Sequence, residues 1–185
     1  MELNKSIFWN KAMFWGFITA LASMILTTIF YVTDNMTSSA KGFIDYAIYI
    51  GGIVFCALAF KKTLGENDPF PYSRALGLGV ATMMFASIIL AVFTYVLYQF
   101  IDPSLIDKMI AFMEESYLQA GLDESVVEQQ MGMISKFYTP ALMSVSALFG
   151  GVFIGLIISL ISSIFLQKKE KDAFAAAMNE IDDEE

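Results

Sequence analysis

Four long apolar runs, at about residues 12–33, 42–60, 75–101 and 140–166, constrain what this chain can fold into. The hydrocarbon core of a bilayer is about 30 Å thick and takes about 20 helical residues to cross. Each run is near or above that length. A spanning segment must satisfy its own backbone polar groups, which a helix does internally. The expected fold is therefore all-α and integral to a membrane, with four transmembrane helices in a bundle. At 185 residues the chain fits one domain, 1–185. With 57% hydrophobic and 16% charged residues and a mean hydropathy of +0.61, it exceeds what a soluble globule could hide.

The polar stretches refine this picture. Ala20-Leu21-Ala22 has the small-x-small pattern of a signal-peptidase site, but apolar residues continue past it. Cleavage there would leave an exposed hydrophobic stub, so the first run reads as an uncleaved span. Pro69 and Pro71 restrict the backbone before the third run and predict an extended lead-in. Asp102-Pro103-Ser104 reads as a helix start, and Asp123 as the cap of a second helix. The apolar residues of 103–138 recur at helical spacing, predicting an amphipathic helical hairpin between helices three and four.

Charge orients the bundle. Lys5, Lys11, Lys61, Lys62, Arg74, Lys168, Lys169 and Lys171 fall on one side, and only Lys41, Lys108 and Lys136 on the other. By the positive-inside rule both termini are cytoplasmic and segment 102–139 is extracytoplasmic. The expected location is a bacterial cytoplasmic (inner) membrane. Seven acids lie between Asp102 and Glu128 and seven more in a solvated cytoplasmic tail, 167–185. No basic stripe exists to neutralise phosphates, so nucleic acid is not an expected partner.

Histidine is absent, which removes Ser-His-Asp and Cys-His triads and any His-ligated metal. The one cysteine, Cys56, lies mid-run and reads as a small buried apolar residue. The methionines form no spaced ligand set. No cofactor or metal is expected, and no catalytic residue is assigned.

Three groups of residues stand out. Ala147, Gly151, Gly155, Ser159 and Ser163 recur at every fourth position of the fourth run. Such a row lets another helix approach closely, either within the bundle or across a dimer. A shorter row, Ala12, Gly16 and Ala20, marks the first run. Asp45 is the one carboxylate inside a span. With Tyr49, and with Tyr95, Tyr98 and Gln99 at the matching end of the third helix, it could line a polar mouth. The alternative is a carboxylate near the helix end, answered by Lys41 at i−4, beside an interfacial aromatic belt. In the hairpin, Ile106, Met109, Ile110, Phe112 and Met113 form an apolar face. That face either packs on the rest of the hairpin or lipid, or docks a partner.

The layout resembles a bacterial membrane-protein family catalogued as domain of unknown function (DUF) 4199. The resemblance covers about residues 8–168. It rests on the four spans with a short second one, and on Phe70-Pro71-Tyr72-Ser73-Arg74-Ala75-Leu76-Gly77-Leu78-Gly79 leading into helix three. It also rests on the Tyr-rich end of that helix at Ile101-Asp102-Pro103, followed by the acidic segment. The resemblance implies an inner-membrane protein and brings no functional residues with it. Function is then expected to be non-enzymatic: interaction with an envelope partner, in lipid, with a homo-oligomer as a further option. The alternative is a small oligomeric transporter or channel component.

Overall fold

The computed structural model describes residues 2–64 and 69–167. Among these it is all-helical: α1 (Glu2–Val32), α2 (Ser39–Lys61), α3 (Tyr72–Val96), α4 (Ser104–Gln119), α5 (Glu124–Ile134) and α6 (Pro140–Leu166). Four helical stretches are long and apolar enough to cross a membrane: Ser6–Val32, Ser39–Lys61, Tyr72–Ile101 and Pro140–Leu166. The acidic tail beyond Gln167 lies outside the described residues.

Helix starts follow local chemistry. The Ser38 hydroxyl accepts from the Ala40 N–H at the head of α2, and the Thr139 hydroxyl accepts from the Leu142 N–H ahead of Pro140. Pro71 is extended (ψ 157°), and its carbonyl accepts the N–H groups of Arg74 and Ala75 in the first turn of α3. Phe70 is fully buried in the lead-in, its ring 5.5 Å from that of Phe60. The first helix begins at Glu2 rather than near Ala12. Further along it, Phe8 meets Phe60 and Trp9 meets Phe85 edge-on, each at 6.1 Å.

Helix α3 is the centre of the bundle and packs against α6, α1 and α2. Close approach to α6 uses small residues on both helices. A Cβ on Gly151 would collide with Ser87, one on Gly155 with Met83, and one on Gly79 with Ser159 and Ile53. These pairs set an antiparallel register that brings Ala75 opposite Ser163 and Ala91 opposite Ala147. The row read on the fourth run thus lies against α3, which carries a matching row of its own. Gly155, Ser159 and Ser163 are buried there. On α1, Ala12, Gly16 and Ala20 are likewise buried, and a Cβ on Gly16 would stand 2.7 Å from the Thr82 carbonyl oxygen.

The faces turned away from these seams are apolar and open. Phe149, Phe153, Ile161, Ile164 and Phe165 of α6 are all exposed, as are Met13, Phe14, Phe17 and Ile25 of α1. The bundle is packed tightly inside by small residues and covered outside by large apolar ones.

The seam predicts an asymmetry between two glycines of α6, Gly155 inside it and Gly150 outside it. Gly155→Leu should lower bundle stability by about 1–3 kcal/mol or more, because overpacking must push Met83 and its helix away. Gly150→Ala, where a Cβ meets nothing within 4 Å, should be neutral or slightly stabilising. Thermal melts of both variants in detergent check this.

Candidate functional site

One end of the bundle, where the α4–α5 hairpin attaches, holds a cavity of about 450 Å³ among α1, α2, α3 and α6. Its polar centre is Asp45 on α2. Lys41 Nζ donates to Asp45 Oδ2 at 2.7 Å, one turn back on the same helix. The Ser23 hydroxyl of α1 donates to Asp45 Oδ1 at 2.5 Å. Both charged side chains are largely shielded, 20% exposed for Lys41 and 13% for Asp45. Such shielding strengthens the pair relative to one in open water.

The mouth read from sequence is assembled in part. Asp45, Tyr49 and Tyr98 line the cavity. Tyr95 and Gln99 do not: both are exposed, and the Tyr95 ring meets Phe100 edge-on. The reason is which face of α3 turns inward. The lining residues Leu90, Thr94, Leu97 and Tyr98 follow ordinary helical spacing, and Tyr95 and Gln99, each one residue past Thr94 and Tyr98, fall on the face beside it. Residues Leu97–Ile101 form a π-helical turn, closed by the Asp102 N–H on the Leu97 carbonyl at 2.9 Å. Ser23, Thr27 and Tyr46 also line the cavity and were not singled out. Thr19, Ser23 and Thr27 stand at every fourth position of α1, a hydroxyl row within the first apolar run that could have flagged them.

Tyr98 joins the cavity to the hairpin. Its hydroxyl donates to Met109 Sδ of α4 at 3.3 Å, and Leu97, Tyr98 and Leu105 form a small core with Ile106, Met109 and Met143 around it. A second tie is exposed, Lys108 to Asp34 at 3.3 Å. Asp102 caps α4: its Oδ1 accepts from the Ser104 hydroxyl at 2.5 Å and from the Ser104 N–H at 3.0 Å. These bonds hold the carboxyl below the ordinary aspartate value. The cap's contribution is present above that ordinary value and is lost as pH falls through the lowered one.

The five-residue apolar face of α4 mostly points inward. Ile106 and Met109 pack on the Tyr98 core, Met113 accepts the Tyr138 hydroxyl at 3.5 Å, and Ile110 is half-buried. Of the five only Phe112 is exposed. The hairpin's other exposed apolar side chains are Leu118, Leu122, Val126, Met133 and Phe137. Periodicity found the amphipathic helix, and folding the two helices together decided which of its apolar residues stay open.

Removing one partner of the shielded pair should cost more than removing both. Lys41→Met should destabilise the fold by about 1–2 kcal/mol, because Asp45 is left shielded without its cation. The double variant Lys41→Met/Asp45→Asn should recover most of that loss. A double-mutant cycle on melting midpoints measures the coupling.

No curated protein and no solved structure matches the chain. A match to the family described as "Protein of unknown function (DUF4199)" covers residues 14–168, most of the chain, including three of the four long apolar helices whole and the first from residue 14 on. The chain belongs to the DUF4199 family.

Proposed function

We propose that this is a four-span protein of a bacterial inner membrane, with both termini in the cytoplasm and the α4–α5 hairpin on the opposite face. Its work there is non-enzymatic: it binds an envelope partner through the hairpin. The bilayer reading is supported by the inverted exposure of the bundle, since lipid is the solvent that large apolar outward faces require. Orientation is supported by Lys11, Lys61, Lys62 and Arg74, which lie at the end away from the hairpin.

The observation that carries the binding role is the hairpin's open apolar surface on a firmly anchored base. Phe112, Leu118, Val126, Met133 and Phe137 are exposed, while Tyr98 and Lys108 tie α4 down. An enzymatic role finds little support. Histidine is absent, and Asp45, the carboxylate lining the cavity, is already engaged by Lys41 and Ser23.

Replacing Cys56 by Ala and introducing Leu118→Cys gives one thiol on the hairpin for two readouts. In spheroplasts a membrane-impermeant maleimide should label it from outside. A photocrosslinking maleimide at the same position should join it to a second protein. Absence of labelling overturns the topology, and self-crosslinks alone overturn the partner.

A small oligomeric transporter or channel component is the second reading, favoured by the cavity around Asp45. A homo-oligomer would then use the open face of α6 at Phe149, Phe153 and Leu156, because α3 occupies the small-residue row. In this reading Asp45→Asn abolishes ion-coupled flux in proteoliposomes. Flux equal to that of the parent removes Asp45 from any coupling role.

A further inference from the structure

The cavity carries a pair of opposite charges whose bonding capacity is only partly used. An ammonium has three donors, and Lys41 spends one on Asp45. A carboxylate offers about four acceptor sites, and Asp45 uses two, for Lys41 and Ser23. The pair neutralises itself, so it calls for no counter-ion of net charge. It keeps spare capacity of both signs, side by side and shielded.

The rest of the cavity extends this chemistry. Tyr46, Tyr49 and Tyr98 also line the cavity, and aromatic rings suit an organic cation. Leu90, Phe93 and Ile154 make the far wall apolar. Asp45 lies six residues inside the start of α2, about 9 Å along the helix at 1.5 Å per residue. Ile154 lies about halfway down α6. The polar end is therefore near headgroup depth and the apolar end near mid-span. The volume, about 450 Å³, falls inside the range of roughly 300–1,000 Å³ typical of small-ligand sites.

We propose that this cavity binds one zwitterionic amphiphile, a lipid whose headgroup joins an ammonium to a phosphate. The phosphate meets the free donors of Lys41, and the ammonium meets the free lone pairs of Asp45 and the tyrosine faces. The upper part of an acyl chain follows the wall of Leu90, Phe93 and Ile154. The site rests on the membrane reading above and adds a ligand class to it.

The test uses the full chain purified in an uncharged maltoside detergent. Short-chain phosphatidylethanolamine, phosphatidylglycerol and soluble phosphoethanolamine are titrated separately, read by native mass spectrometry and by the melting midpoint. The expected result is one tightly held phosphatidylethanolamine with a raised midpoint, and little response to phosphatidylglycerol. Lys41→Met/Asp45→Asn should bind the zwitterionic lipid about tenfold more weakly or worse, since charge-assisted contacts are lost. Ser146→Phe, at an exposed position on the cavity wall, should block entry while leaving the charge pair in place. Equal binding of both lipids, or unchanged binding in these two variants, overturns the proposal. Soluble phosphoethanolamine binding as tightly as the lipid overturns the amphiphile and leaves a headgroup site. Loss of lipid discrimination in a chain that stays in the membrane pellet after alkaline carbonate extraction sinks the lipid site alone, whereas release of the chain by carbonate sinks the membrane reading beneath it.

Discussion

The close approach of α3 and α6 is the constraint on which the rest of the structure depends. Where apolar side chains gain nothing by leaving their solvent, helices associate through packing density, and packing density needs small residues. Gly79, Met83 and Ser87 on α3 answer Ser159, Gly155 and Gly151 on α6, each glycine receiving the side chain opposite. The Ser87 and Ser159 hydroxyls are buried at this seam without a hydrogen-bond partner. Thr82, by contrast, donates to the Leu78 carbonyl at 2.8 Å. The two serines act chiefly by size, as small side chains lying over a glycine.

This seam fixes the position of α3, and α3 fixes the others. Helix α1 docks through Gly16 against the Thr82 backbone, and α2 docks through Gly52 against Thr19 and through Ile53 beside Gly79. Away from the hairpin the three partners of α3 converge on an aromatic core at Phe60 and Phe70. Near the hairpin Ala147 and Gly150 leave room, and the cavity opens beside Asp45. The tight seam and the cavity thus have one cause. Small residues bring backbones together where a partner fills them, and leave space where none does.

The polar features are concentrated at that open end. Asp45 is tolerated because Lys41 and Ser23 satisfy it. Tyr98 faces the cavity and also reaches Met109, so the cavity wall and the hairpin base share one residue. Occupancy of the cavity and the seating of α4 are therefore physically adjacent events.

What the sequence determined by itself was the set of helices. Long apolar runs, Pro69 and Pro71, Thr139-Pro140 and the spacing within 103–138 are local signals, and local hydrogen bonding and capping decide them. The family was also legible, because the lead-in to α3 and the order of elements are carried in the chain itself. The pairing of the small-residue rows was decided only by tertiary structure: one row was plain on α6, but its counterpart on α3 includes Met83 and does not read as small. Tyr95 and Gln99 fall outside the site because α3 turns the face of Leu90, Thr94 and Tyr98 toward the cavity, a rotation set by its packing on α1 and α6. Ser23 joined Asp45 from a helix 22 residues away in sequence. Such contacts depend on where whole helices come to rest, which is set by the fit of their surfaces and not by any single segment.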